Sequence, residues 1–348
     1  MRLEAIPAAR FALQKPVKNR PQTKFSGISN DLTQPLAMRR LPPQLTYMFR
    51  EPNVLLPAAL YIRQKFPQGV PIRVYGSSDW SEPWSLSMAM KLSQGLAPDM
   101  TPASQYPIDA TELSEGRVAV AKAGFIALDE NRVKPDGSPN DPTGTEYERA
   151  NQSLGSFAQK VGAPNVSDWR LDGFMTREPQ RHPPAEVRQQ LDAFNLPTQS
   201  NAHWYRVSND LRDSVSYRHA TIQEDLRQNP ITKPTVVFMR NLWVYLNAHN
   251  PQNNEPQLVA QTLGQQMPKG SLLVVGELDT PSGVKRTKDV LQALGKQIPA
   301  HILQTILDKQ ALDLPGVLTR AGFEAVPASE LRVLGGNDEA EGRLWVKK

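Results

Sequence analysis

Apolar residues fall along this chain in short unbroken runs, separated by longer stretches with helical spacing. Val236-Val237-Phe238-Met239 is one such run, rich in strand formers, and it stops at the polar pair Arg240-Asn241 before Leu242-Trp243-Val244-Tyr245-Leu246 begins. Its length and β-branching predict a central strand buried on both faces. Arg240-Asn241 then falls at the carboxyl end of that strand, where open α/β sheets bind ligands. Upstream, PIRVYG predicts a strand ending at Gly76, SSDWSEP a polar loop and WSLSMAMKLSQGL a helix. YPIDATEL predicts a second strand over Tyr106–Ala110 with Glu112 just past its end, and SEGRVAVAKAGFI a helix as far as Gly124. Ser271–Gly276 reads as another buried strand after the tight turn Pro268-Lys269-Gly270.

Between these runs the spacing is mostly helical. From Pro52, the positions of Val54, Leu55, Leu56, Leu60, Tyr61 and Phe66 predict a helix that Pro57 bends or restarts. PPAEVRQQLDAF, NEPQLVAQTLGQQ, KDVLQALGKQIPAHILQTILDKQ and LPGVLTRAGF predict further helices. HWYRVSNDLRDSVSYRHATI alternates as strands do, ending at Glu224-Asp225-Leu226, and RVLGGNDEAEGRLWVKK predicts a terminal hairpin turning near Gly335–Asp338. Asp129–Pro179 is rich in Pro, Asn, Asp and Gly and reads as a surface insertion with one helix near Tyr147–Lys160. Strand, glycine, polar loop, helix is how a Rossmann-like sheet begins, with backbone N–H groups and a helix N-terminus facing a ligand. An acid at the tip of the second strand, here Glu112, is placed to bond ribose hydroxyls.

Composition narrows the classes. The 348 residues, 39% hydrophobic and 22% charged, are enough for one large α/β domain with additions or two small ones. There are no cysteines, which removes disulfides, thiolate chemistry and cysteine-zinc sites together. No apolar run approaches the ~18 residues that span a bilayer, and MRLEAIPAARFALQK lacks a signal-peptide pattern. The expected compartment is the cytoplasm. The net charge of +5 is uneven: Arg2, Arg10, Lys15, Lys18, Arg20, Lys24, Arg39 and Arg40 face only Glu4 and Asp31 before Leu45. Residues 1–40 read as a loose basic arm, and order is expected from Leu41 to Lys348. Neither G-x-G-x-x-G nor G-x-x-x-x-G-K-[ST] occurs, which argues against NAD and P-loop chemistry. No G-x-S-x-G occurs either, and the five histidines show no i, i+4 pair, so no metal site is expected.

Four segments, in order, carry a family resemblance. Thr46-Tyr47-Met48-Phe49-Arg50-Glu51-Pro52 is similar to T-x-F-F-R-[ED]-P. Gly76-Ser77-Ser78-Asp79-Trp80-Ser81-Glu82-Pro83-Trp84-Ser85-Leu86 is similar to G-C-S-T-G-E-E-P-Y-S-L. Ala110-Thr111-Glu112 and Ala121-Lys122-Ala123-Gly124-Phe125 match A-T-D and A-x-x-G-x-Y at the same spacing. Arg240-Asn241-Leu242-Trp243-Val244-Tyr245-Leu246 is similar to R-N-V-L-I-Y-F, and Pro268-Lys269-Gly270-Ser271-Leu272 to P-G-G-x-L. From Thr46 to about Glu277 the chain resembles the chemotaxis-receptor glutamate methyltransferases of the CheR type.

The resemblance implies a class I, Rossmann-like methyltransferase fold: a mostly parallel seven-stranded sheet with an antiparallel last strand. It also implies S-adenosyl-L-methionine as cofactor and a carboxylate as methyl acceptor, on a protein glutamate or another acidic partner. Carried over residue by residue, Thr46 and Arg50 reach the methionine end of the cofactor. Gly76, Ser78 and Glu82 line its loop, Glu112 bonds the ribose, and Asp225-Leu226 hold the adenine. Asn241 and Leu242 line the pocket beside the sulfonium. Arg50 orients an incoming carboxylate and Tyr245 contacts the acceptor. Trp80 stands for the loop's second glycine, where an indole could narrow the cofactor pocket, although Trp80, Trp84 and Trp243 read as packing residues ahead of substrate platforms, and Ser81 stands for the loop's first acid. Three classes stay open: an active O-methyltransferase, a CheR-like scaffold without catalysis, and a nucleic-acid methyltransferase guided by the basic arm. Against the last, there is no N/D-P-P-Y/F motif and no cysteine nucleophile.

Overall fold

The computed structural model describes residues 47–96, 98, 105–129, 145–194, 196, 202–243, 246, 254–280, 312–336 and 340–348. The basic arm and the helix expected over KDVLQALGKQIPAHILQTILDKQ lie outside the described residues. In chain order the elements begin with α1 (Pro52–Lys65), β1 (Ile72–Tyr75), α2 (Ser81–Ser93), β2 (Ile108–Glu112), α3 (Glu115–Lys122) and β3 (Phe125–Asp129). Next come α4 (Glu146–Lys160), β4 (Met175–Arg177), α5 (Ala185–Ala193), β5 (Ala202–Val207), α6 (Asn209–Asp213), β6 (Val215–His219) and α7 (Ile222–Gln228). The rest are β7 (Val236–Met239), α8 (Glu255–Gln266), β8 (Leu272–Val275), α9 (Leu314–Arg320), β9 (Phe323–Ala325), α10 (Ala328–Val333) and β10 (Leu344–Lys347).

Seven strands form the main sheet in the order β6-β2-β1-β7-β8-β10-β9. Ranked by chain position within this sheet, that is three-two-one-four-five-seven-six. β1 pairs in parallel with both β2 and β7, β2 with β6, and β7 with β8, while β10 runs antiparallel between β8 and β9. This is the Rossmann-like sheet with an antiparallel last strand that the resemblance implied. Strand order reverses between β1 and β7, so the crevice at their carboxyl ends is the topological switch point.

The central strands are apolar on both faces because both faces are covered. Val236 and Phe238 of β7 enter one core with Ile72, Val74 and Ala110, beneath α1 and α2. Val237 and Met239 enter the other with Tyr75, Leu273 and Val275, against α7, α8 and α9. Pro57 sits inside α1 without restarting it. The lost N–H removes one helical bond, and burial of Val54, Leu55, Ala58 and Ala59 holds the turn together.

One expectation is corrected. The predicted terminal hairpin does not form: Ala328–Val333 is helical, and β10 pairs instead with β8 and β9. Long-range pairing with the buried β8 supplies a two-sided core for Trp345 and Leu344 that a local hairpin could not. Asp129–Pro179 carries the helix expected near Tyr147–Lys160, as α4, while residues 130–144 lie outside the described residues. β3, β5 and β4 make a separate three-stranded antiparallel sheet, and α4 begins with a full capping box between Thr145 and Glu148.

Gly264 in α8 is a close-approach position. A Cβ there would lie 2.2 Å from the backbone oxygen of Ala321, whereas a Cβ at Gly155 in α4 meets nothing within 4 Å. Gly264→Ala should therefore destabilise the protein by ~1–3 kcal/mol through overpacking. Gly155→Ala should stabilise it by about 0.5–1 kcal/mol, the ordinary helix-propensity gain. Urea denaturation of both variants checks the pair of opposite signs.

Candidate functional site at the carboxyl edge of the sheet

Two groups of side chains meet at the carboxyl ends of β1, β2, β7 and β8. The first surrounds Glu112, the last residue of β2. Its Oε2 accepts from the Ser78 N–H at 2.7 Å and its Oε1 from the Ser114 N–H at 3.0 Å. Arg117 lies on α3 and bonds the Ser78 hydroxyl. Burial pushes the Glu112 carboxyl above its usual range, with Arg117 and the backbone donors pulling it back. The Ser78, Ser114 and Leu113 N–H groups all act on this carboxylate, which leaves part of its roughly four acceptor sites open. Gly76 and Ser78 bring the β1–α2 loop over this carboxylate through left-handed backbone, φ 71° and 52°.

Trp80 also adopts a left-handed conformation, φ 73°, at a position where glycine would be unstrained. Its indole is turned into the core rather than toward the crevice. It lies edge-on to Tyr217 at 4.9 Å and donates from Nε1 to the Arg117 carbonyl at 2.9 Å. Burial of the indole, only 1% exposed, offsets the backbone strain. Of the two readings of Trp80, a packing residue or an indole narrowing the pocket, the packing one is what forms. Asp79 closes the turn by accepting from the Ser81 N–H at 3.0 Å.

The second group is centred on Glu51, a residue quoted in the first motif without a role. Glu51 precedes α1 with φ 55°. Its Oε1 accepts from Asn241 Nδ2 at 2.8 Å, and its Oε2 from the Glu277 N–H at 3.0 Å. Arg50, Arg240 and Arg343 all place guanidinium nitrogens 3.5–3.7 Å from its carboxylate. Burial acts to raise the Glu51 carboxyl, but Arg240, Arg50, Asn241 and Arg343 together hold it below its ordinary value. Arg240 also pairs with Glu82 at 3.2 Å and donates to the Arg50 carbonyl at 2.5 Å. Burial opposes the Arg240 charge, yet Glu82 and Glu51 more than offset it and raise its pKa. Glu82 itself is pushed up by burial, against the pull of Arg240.

Asn241 is the hinge between the groups. With φ 57°, its N–H donates to Asp279 Oδ2 at 2.6 Å and its Oδ1 accepts from the Leu278 N–H at 2.8 Å. All its side-chain bonds tie strand tips together, and this fixes the neighbouring Leu242. The Leu242 methyls lie 3.2–3.3 Å from where a Cβ on Gly76 would be. Gly76 therefore serves both its φ and its close neighbour.

Asp225 and Leu226 are not brought to this edge, which corrects the adenine-holding role expected of them. The Asp225 carboxylate accepts from Tyr75 Oη at 2.6 Å, Arg218 at 2.8 Å, Asn229 at 3.0 Å and Arg73 at 3.4 Å. Those partners consume its acceptor capacity beneath the sheet, and Leu226 is buried in the adjoining core. The tip of β6 is instead occupied by Ala220, Thr221 and Ile222. The Ala220 N–H reaches the Glu112 carbonyl at 3.2 Å, and Thr221 caps α7 in a capping box with Glu224. The sequence T-x-x-E at Thr221–Glu224 was the signal that could have placed the strand end correctly. Arg343 had no local signal, since antiparallel pairing of the last strand alone delivers it to this edge. Thr46 and Tyr245 lie outside the described residues. Among the described residues no helix is long and apolar enough to cross a membrane.

No protein-family model matches this chain, and no curated protein matches it. Among solved structures, the plantazolicin methyltransferase BpumL in complex with SAH is similar at 8% identity and a TM-score of 0.37, over 85% of this chain and 83% of that one. The rRNA methyltransferase aviRa from Streptomyces viridochromogenes is similar at 8% identity and a TM-score of 0.24, over 72% and 85%. Likenesses this slight carry no weight on function. The strand order and the residues at the strand tips do.

The depressed pKa of Glu51 has a pH signature. Its stabilising contribution is fully present above the ordinary value of 4.5 and is lost as pH falls through the lower folded value. The stability difference between wild type and Glu51→Gln should hence be constant near neutrality and shrink as pH drops below 4.5. Denaturant unfolding at a series of pH values reads it; a difference that grows on acidification contradicts the assignment.

Proposed function

We propose that this chain is an S-adenosylmethionine-dependent methyltransferase whose acceptor is a carboxylate. The observation that carries the reading is Glu112: a buried acid at the tip of the second strand, held by the Ser78 and Ser114 N–H groups beside the Gly76 turn, at the switch point of a three-two-one-four-five-seven-six sheet. The residues present fit a nucleoside there. Glu112 keeps acceptor capacity for hydroxyls, Gly76 is exposed, and Trp80 is drawn away into the core.

In this reading Glu112 accepts from the ribose hydroxyls, charge-assisted bonds worth ~1.5–3 kcal/mol. Gly76 and Ser78 shape the loop around the cofactor, and Thr221 with Ile222 replaces Asp225-Leu226 at the adenine end. Asn241 holds Leu242 as the wall beside the sulfur, and Glu82 flanks the amino-acid end. The bound cofactor supplies an electrophilic methyl group. A carboxylate acceptor is already ionised at neutral pH, so no general base is called for. What the protein contributes is alignment and exclusion of water, which can lower a barrier by ~7–11 kcal/mol. Arg50, 17% exposed at the rim, is suited to orient the incoming carboxylate, and the resemblance adds Thr46 and Tyr245 to the methionine and acceptor ends. An acidic protein segment is the corresponding partner.

A second reading, a scaffold without catalysis, is favoured by Ser81 standing where the family has an acid. Titration calorimetry with S-adenosylmethionine separates the two. Wild type should bind it and Glu112→Ala should bind about ten- to a hundredfold more weakly. No heat with the wild-type protein would sink the methyltransferase reading and leave the scaffold.

A further inference from the structure

The Glu51 cluster holds more charge than it satisfies. Glu82 Oε1, Arg240 Nε and both Nε and Nη1 of Arg343 are buried without a hydrogen-bond partner. Folded proteins seldom leave such groups unpaired, and here they converge on one place. Arg240 and Arg343 approach the same Glu51 oxygen at 3.5 and 3.7 Å, and Arg240 reaches Glu82 at 3.2 Å. The side chain of Arg343 is 2% exposed and that of Arg240 1%. Cations this deep are costly unless each is paired, and Glu51 is shared among them.

Arg343 sits just before β10, where its carbonyl accepts from the Val275 N–H at 2.8 Å. That pairing sets its guanidinium at the carboxyl end of β8, on the same edge as Asn241. Arg50 and Glu82, 17% and 19% exposed, form the side of the cluster that meets solvent. An anion arriving past them would find Arg240 Nε and the Nε and Nη1 donors of Arg343, single N–H groups on two arginines that a carboxylate can bridge.

We propose that Arg343, together with Arg240 Nε, forms an anion subsite that selects a carboxylate-bearing acceptor. This rests on reading the edge as the methyl-transfer site, and it assigns the choice of acceptor to a residue of the last strand. The carboxylate bound there is the acceptor's, not that of the cofactor's amino-acid end, and the two sources can be told apart.

Glutarate, a small dicarboxylate, serves as the probe and is titrated calorimetrically into full-length wild type, R343Q and R343K. S-adenosylmethionine is titrated into the same proteins. Wild type is expected to bind glutarate, with R343Q at least about tenfold weaker, R343K between them, and cofactor affinity unchanged within about twofold. Should R343Q fail to fold, R343K carries the comparison, since it keeps the charge and loses the Nε donor. Three results overturn the proposal: no glutarate binding by wild type, equal glutarate affinity in wild type and variants, or a loss confined to S-adenosylmethionine, which would give the carboxylate to the cofactor. Glutarate binding that depends on Arg343 in a protein with no cofactor affinity would uphold the subsite while removing the methyltransferase reading.

Discussion

One carboxylate holds the functional edge together. Glu51 arrives from the segment before α1, outside the sheet, and binds the tips of three strands at once: Asn241 after β7, Glu277 after β8 and Arg343 before β10. A buried acid is expensive in isolation and tolerable only when its partners are fixed around it. Its removal would leave Arg240 with Glu82, and Arg343 with the more distant charges of Glu277 and Asp279, a change of the kind that costs about 3–5 kcal/mol. Because these links join residues far apart in sequence, the edge assembles only when the whole sheet has formed.

The edge divides chemically. On the β1–β2 side the groups are backbone donors, Glu112 with Arg117 near it, Asp79 spent on its own turn, and exposed glycine backbone, suited to a hydroxyl-rich ligand. On the β7–β8–β10 side they are guanidinium groups and carboxylates in near balance, suited to charge. Asn241 stands at the boundary, its side chain spent on structure and its backbone pressing Leu242 over Gly76. A cofactor lying across the switch point would present its nucleoside to the first half and its charged end to the second. Under the proposed function, an anionic acceptor would be drawn to the same half as the sulfonium.

The strands at the switch point were legible in sequence because each is a short apolar run ended by a polar or glycine residue. β1, β7 and β8 fall within a residue or two of their expected bounds, and Glu112 proves to be the last residue of β2 rather than the first beyond it. What sequence misjudged was long-range. Val333-Leu334 and Leu344–Lys347 looked like partners in a hairpin, but β10 finds better burial against β8. Asp225 looked like a strand-tip acid, yet helix α7 carries it one turn further, onto Tyr75, Arg73 and Arg218. Trp80 stayed open between packing and obstruction because a motif shows identity and not direction. Its left-handed φ turns the side chain toward Tyr217, which no local pattern encodes.

The central claim is that the nucleoside lies over Gly76 with its hydroxyls on Glu112. A crystal structure with S-adenosylhomocysteine tests it most directly. The account requires density for the ribose within hydrogen-bond reach of the Glu112 carboxylate, with the Trp80 indole still edge-on to Tyr217. Ligand in a different hollow, or an indole swung out to fill the space above Gly76, would contradict it.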